Sequence, residues 1–156
     1  MLHGKDGLMT DTLENTITIL DRLVSFDSIS GRPTHGIVGY IQDYLSSLGV
    51  ESTLSYDDAG ERANVFATIG PGIDGGVVLN GHTDVVPVEG QNWSNDPFTL
   101  TRNGSKLHGR GSVDMKGFLA CVLGSVPAFQ AANLSKPIHI AFSYDEETGG
   151  YGMPVL

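Results

Sequence analysis

Apolar residues recur at spacings of three and four in two stretches near the start of the chain. This period predicts two amphipathic helices, one from Asp11 to about Phe26 and one between Thr34 and Gly49. The repeating positions are Leu13, Ile17, Leu20 and Val24 in the first helix and Ile37, Ile41, Tyr44, Leu45 and Leu48 in the second. Residues 1–9 precede the pattern, and we expect them to form a disordered extension.

Shorter apolar runs bounded by turn residues predict strands. The dipeptide Asn103-Gly104 between alternating residues predicts a hairpin. The run 77–80 has glycine on both sides, which is typical of a strand buried on both faces. The predicted strands are 50–56, 64–69, 77–80, 98–102, 106–108 and 138–144, and a third helix is predicted over 116–131. This mixed order, in a chain of 156 residues, predicts one α/β domain.

Charge and cysteine usage narrow the class of protein. A formal charge of −9 and a pI near 4.7 argue against nucleic acid or an anionic membrane as partner. No apolar stretch approaches the roughly 18 residues of a membrane span, and the first residues lack the apolar run of a signal peptide. The single cysteine, Cys121, excludes an intrachain disulfide and fits a cytoplasmic protein; we expect it to be a small core residue.

Gly70, Gly72 and Gly75 match the spacing of a dinucleotide-binding fingerprint. That fingerprint needs a helix directly after it, whose N-terminus holds the pyrophosphate. Here the glycines lead into the predicted strand at 77, so we interpret them as a tight turn.

Three clusters of metal-ligand residue types follow predicted strands or glycine-rich bends. His82 and Asp84 are two apart after a strand, so an extended backbone would place imidazole and carboxylate side by side, with Asp84 suited to orient His82. A structural polar pair is the alternative. Asp114 lies at a bend into a helix, where it could cap that helix or bridge two cations.

Asp145, Glu146 and Glu147 directly follow the strand predicted over 138–144. Crowded carboxylates repel each other, so they call for a cation unless they are solvated on a surface loop. One glutamate can bind metal while its neighbour moves protons. Oxygen ligands with one imidazole suit zinc, cobalt or manganese. The combination of three clusters favours a metal site.

These motifs resemble the family of di-zinc amidohydrolases that includes acetylornithine deacetylases, succinyl-diaminopimelate desuccinylases, aminoacylases and glutamate-releasing carboxypeptidases. Within this family the motif sequences are most similar to those of the acetylornithine deacetylases. The resemblance covers about residues 10–156. The runs that carry the resemblance are Gly81-His82-Thr83-Asp84-Val85-Val86-Pro87-Val88, Gln91 and Trp93 with Asp96-Pro97-Phe98, Asp114-Met115-Lys116-Gly117-Phe118-Leu119-Ala120 and Ser143-Tyr144-Asp145-Glu146-Glu147.

The resemblance implies a three-layer catalytic domain with a mixed central sheet flanked by helices, and two divalent metal ions, zinc or cobalt. It implies that His82 binds one metal, Asp114 bridges both and Glu147 binds the other. Glu146 would be the general base, and Asp84 would orient His82. It also implies a cis peptide between Asp114 and Met115.

The implied activity is hydrolysis of the amide bond of a small N-acyl amino acid, most simply N-acetylornithine to ornithine and acetate in arginine biosynthesis. The family's further ligands and its lid domain, through which the parent protein would form a homodimer, are not in these residues. We therefore expect the N-terminal part of a catalytic domain, inactive alone. The alternatives are a desuccinylase or dipeptidase of the same family, and a non-catalytic metal-binding or interaction module.

Overall fold

A computed structural model describes the backbone of residues 5–156 and the side chains of residues 12–156. Within that range the chain forms α-helices α1 (Lys5–Val24), α2 (His35–Ser47) and α3 (Lys116–Ala131). Helices α2 and α3 lie where the sequence predicted them, and Gly49 follows α2 with a positive φ of 72°, as expected of a helix-ending glycine. Helix α1 begins before the predicted start at Asp11. Part of the predicted extension, residues 1–4, lies outside the described residues.

Six strands are present in the described range, in the predicted places but with shifted ends. They are β1 (Ser52–Tyr56), β2 (Ala63–Ile69), β3 (Val77–His82), β4 (Thr101–Asn103), β5 (Lys106–His108) and β6 (Ile138–Ser143). One sheet has the order β1-β2-β6-β3, and β4 and β5 form a separate hairpin. Strands β1, β2 and β6 pair antiparallel, whereas β3 and β6 pair parallel, which confirms the mixed sheet.

The core lies between the sheet and the helices. Val65, Ala67 and Ile69 of β2 alternate inward with Ile140 and Phe142 of β6, as period-2 burial requires. The same cluster contains apolar side chains of all the described helices, so these helices cover one face of the sheet. The α/β class and the flanked mixed sheet are confirmed, and the described residues supply two of the three expected layers.

The prediction that residues 77–80 are buried on both faces is wrong for this chain. Val77 and Val78 are 58% and 54% exposed. Strand β3 pairs only with β6 and forms an edge of the sheet, so its apolar side chains lack a neighbouring strand within the described residues. Cys121 is likewise exposed on α3 and is not a core residue. No helix in the described part of the chain is long and apolar enough to cross a membrane.

Gly81 determines how closely α3 approaches the sheet. A Cβ placed on Gly81 would stand 2.7 Å from Leu119 Cδ2 and 3.1 Å from Met115 Cε. Because glycine has no side chain, the first turn of α3 packs directly on the end of β3. This contact brings the loop before α3 to the same sheet end as His82.

Candidate metal centre

Parallel pairing brings two of the predicted clusters together. In the register of β3 and β6, His82 is opposite Ser143. The carboxyl ends of the two strands therefore coincide, and the loops that follow them carry Asp84 on one side and Glu146 and Glu147 on the other. Ligands gathered at the carboxyl ends of parallel strands are typical of α/β proteins.

The third cluster joins them through the loop before α3. One ligand atom from each of His82, Asp114 and Glu147 lies within 4.8 Å of the others. His82 Nε2 is 3.2 Å from Asp114 Oδ1 and 3.7 Å from Glu146 Oε2. The structure thus brings together all three residues that the sequence suggested as ligands, with the suggested base beside them.

His82 is buried, and its orientation is set by the residue two positions on. Its Nδ1 lies 3.0 Å from the backbone oxygen of Asp84 and 3.5 Å from Asp84 Oδ1. Burial lowers the pKa of His82, but hydrogen bonding and the charge of Asp84, with help from Asp114, raise it to about 9. A ring held at Nδ1 leaves Nε2 directed at the carboxylates.

The Asp84 carboxylate connects the two ligand loops. It is 1% exposed and accepts hydrogen bonds from the backbone N–H of Glu146 at 3.1 Å and of Glu147 at 3.2 Å. Burial raises its pKa, but bonds from His82, Ser30 and these two amides outweigh burial and hold the pKa below its usual value. β3 ends at His82, so the extended geometry expected for the pair stops there. The short contact to the imidazole is therefore made by the backbone oxygen of Asp84.

Asp114 is not the cap of α3. The N-cap position is Met115, no side chain caps the helix, and the Asp114 side chain is 74% exposed. The peptide Asp114–Met115 is cis, as the resemblance implied. The cap interpretation of Asp114 is therefore wrong, and its role as a metal ligand stays a prediction.

Asp145 differs from its two neighbours in being buried. It has a left-handed φ of 54° and is 1% exposed. Its Oδ1 accepts the Gly31 N–H at 2.8 Å, and its Oδ2 accepts from Arg62. Arg62 also forms a salt bridge with Asp57, in which Arg62 Nε lies 2.8 Å from Asp57 Oδ2. The alternative of three solvated acids is therefore wrong for Asp145, whose carboxylate anchors the acidic loop to the body of the domain.

Glu146 is exposed and Glu147 is half-buried. Burial raises the pKa of Glu147, and the charge of Asp114 raises it further, while His82 opposes them. A carboxylate in such a setting favours a neighbouring cation, because the cation relieves the repulsion.

Three residues of this region were not expected from the sequence to support the site. Lys116 is fully buried, and its Nζ donates to the Phe26 oxygen at 2.8 Å. Ser30 donates to Asp84, and Arg62 to Asp145. Only Lys116 lies within a recognised motif. No local pattern marks Ser30 or Arg62, because their partners are distant along the chain.

The mixed sheet is flanked by helices, and imidazole and carboxylate side chains cluster at the carboxyl ends of its parallel strands. These features define an α/β domain with a candidate metal centre. A sequence profile of peptidase family M20/M25/M40 matches residues 78–156, just over half of the chain. The chain belongs to this family.

Curated relatives agree with that assignment. The chain is 36% identical over 127 residues to an acetylornithine deacetylase of Yersinia pseudotuberculosis, covering 78% of this chain and 33% of the relative. It is 37% identical over 125 residues to that of Pasteurella multocida, covering 80% and 32%. The chain thus spans about a third of the length of these relatives.

Solved structures share the fold. Human carnosine dipeptidase 1 superposes with a TM-score of 0.79 at 25% identity, over 94% of this chain and 35% of that one. A metallo-carboxypeptidase of Sulfolobus solfataricus superposes with a TM-score of 0.73 at 25% identity, over 86% of this chain and 31% of that one.

Proposed function

We propose that this chain is part of a metal-dependent hydrolase that cleaves the amide bond of an N-acyl amino acid, most specifically N-acetylornithine. The observation that carries the proposal is the cluster of His82, Asp114 and Glu147 at the sheet edge, with Glu146 beside it. The acetylornithine deacetylases among the relatives support the choice of substrate. Residues 10–156 would be the N-terminal part of the catalytic domain, and a lid domain outside them would form the dimer.

The residues present fit a divalent metal. The donor set is one imidazole and two carboxylates, which suits zinc or cobalt. In the proposed arrangement His82 would hold one ion, Glu147 would hold a second and Asp114 would be shared between them. When bound, such ions act as Lewis acids toward a carbonyl oxygen and lower the pKa of water.

Glu146 is the proposed general base. Its Oε2 is 3.7 Å from His82 Nε2, so it borders the ligand cluster while its side chain stays half-exposed. A carboxylate in this position can take a proton from the attacking water and return it to the leaving amine. Asp84 keeps Nε2 of His82 directed into the site and holds the backbone of Glu146 and Glu147 in place.

Zinc sites that catalyse usually have three protein ligands for each ion. The cluster in the described residues offers three ligands in total, which is too few for two ions. We therefore propose that the 156-residue chain binds zinc weakly and hydrolyses little N-acetylornithine by itself. Ready hydrolysis by the purified chain would contradict this part of the proposal.

Calorimetric titration of Zn²⁺ and Co²⁺ into the chelator-treated chain tests the metal site. We expect His82→Ala to abolish measurable binding. His35→Ala is the matched control, because His35 is exposed, lies outside the cluster and contacts the Gly60 oxygen. Equal loss in both variants, or none in either, would reject the site.

The likeness to a dipeptidase favours a second candidate, a dipeptidase on the same scaffold. With the desuccinylase alternative there are three candidate reactions, which differ in the groups on either side of the amide bond. Rates of the full-length protein on N-acetylornithine, N-succinyl-diaminopimelate and a dipeptide would distinguish them. A rate on N-acetylornithine well below the other two would overturn the choice of substrate.

A further inference from the structure

The segment Ser28–Gly31, which begins four residues after the end of α1 at Val24, lies against the loops that follow β3 and β6. Its backbone is held by two hydrogen bonds to Val85, from Ser30 N–H to the Val85 oxygen at 3.1 Å and from Val85 N–H to the Ser28 oxygen at 3.0 Å. Ile29 and Val85 form a parallel bridge. Main-chain contacts to Val85 therefore help to place the segment beside both loops.

From that position the segment reaches both acidic loops. Ser30 Oγ donates to Asp84 Oδ2 at 2.5 Å, and Gly31 N–H donates to Asp145 Oδ1 at 2.8 Å. Asp84 follows β3, and Asp145 follows β6. One short segment thus contacts a carboxylate from each loop.

The contact with Asp84 matters because the same carboxylate accepts hydrogen bonds from the backbone of both glutamates. Oδ2 accepts from both Ser30 Oγ and the Glu147 N–H, while Oδ1 accepts from the Glu146 N–H and lies near the His82 ring. A buried carboxylate needs such donors, since water does not reach it. Rotation of this carboxylate would disturb both glutamates at once.

We propose that Ser30 is a positioning residue of the metal centre, acting through Asp84 to fix the loop that presents Glu146 and Glu147. Its hydroxyl holds the Asp84 carboxylate in the orientation that both backbone amides require. The consequence for metal binding rests on the proposed function. The consequence for the loop follows from the hydrogen bonds alone.

Ser30→Ala and Ser28→Ala make a matched pair. Both remove a hydroxyl from the same segment, but Ser28 Oγ donates to the Thr83 backbone oxygen at 2.7 Å and does not touch Asp84. Backbone amide exchange by NMR, in the metal-free chain, reports the loop directly. We expect Ser30→Ala to speed exchange of the Glu146 and Glu147 amides about tenfold, because the Asp84 carboxylate that accepts from both amides loses the hydroxyl that orients it. Ser28→Ala should leave both rates unchanged.

The same variants are then titrated with Zn²⁺. We expect Ser30→Ala to weaken binding about threefold to tenfold, which is less than the 10–100-fold typical of a partner that touches the ligand itself. If the wild-type chain binds no Zn²⁺, the proposed metal site fails for this chain, and amide exchange still decides the role of Ser30. Unchanged exchange in Ser30→Ala, or equal acceleration in both variants, overturns the proposal. Should Ser30→Ala not fold, Ser30→Cys, a weaker donor of similar size, must show the same selective acceleration.

Discussion

Replacing Lys116 by methionine should change how the stability of the domain depends on pH. Lys116 is 0% exposed, and within the described residues its Nζ makes one hydrogen bond, to the Phe26 oxygen. Burial lowers its pKa from 10.5 to about 7, against the raising influence of Asp27 and Asp84. The folded chain therefore binds this proton far less tightly than the unfolded chain does.

The sign and size follow from linkage. A lysine whose pKa is lower in the folded state destabilises the fold fully below pH 7, and the penalty disappears as pH rises toward 10.5. A tenfold change in proton affinity is worth about 1.4 kcal/mol, so the full penalty is about 4–5 kcal/mol. Methionine has a similar length and no charge, so Lys116→Met removes the penalty and loses one hydrogen bond worth about 1 kcal/mol.

His82 acts in the opposite direction over the same pH range. Its pKa is raised from 6.5 to about 9, so the stability it contributes is complete below pH 6.5 and is lost as pH rises through 9. The two effects partly cancel in the wild-type chain. The informative quantity is the difference in unfolding free energy between wild type and Lys116→Met, from which the contribution of His82 drops out.

Urea unfolding of the chelator-treated chain between pH 6 and pH 10 measures this difference. We expect wild type to be less stable than Lys116→Met at pH 6. Above pH 7 the unfolding free energy of wild type should rise relative to that of the variant by about 1.4 kcal/mol per pH unit. Lys136→Met is the matched control, because Lys136 is exposed and donates to the Asp74 oxygen. A difference for Lys116→Met that stays constant with pH would refute the reasoning.

Two further substitutions test the fold around the site. Gly76→Ala should lower the unfolding free energy by about 3 kcal/mol or more, because Gly76 has a φ of +113° and a Cβ there would be 2.1 Å from the Pro137 oxygen. Gly72→Ala, in open space, should cost little by the same urea assay, and equal losses would contradict the clash. Arg62→Met should cost about 3 kcal/mol, since it leaves the buried Asp145 carboxylate without its cation. Adding Asp145→Asn to Arg62→Met should restore part of the lost unfolding free energy. If the losses of the two single variants simply add in the double variant, the ion pair between Arg62 and Asp145 does not stabilise the fold.

The fold could be predicted from sequence where the information is local. Periodicity located α2, and Asn103-Gly104 marked the hairpin, because each depends on residues within a few positions of one another. The identification of residues 77–80 as a fully buried strand failed for the opposite reason. Burial of a strand depends on how many neighbours the sheet gives it, and β3 has one within the described residues.

The residues of the candidate site show the same difference between local and long-range information. The sequence by itself predicted which side chains could serve a metal. Their positions after strands or glycine-rich bends suggested His82, Asp114 and the acids at 145–147, and the family resemblance selected Glu147 among those acids. The tertiary structure alone decided what supports them. Ser30 and Asp84 are 54 residues apart, and Arg62 and Asp145 are 83 apart. No short-range pattern encodes contacts of that separation. They exist only after Ile29 bridges Val85 and strand β2 pairs with β6, which are tertiary contacts.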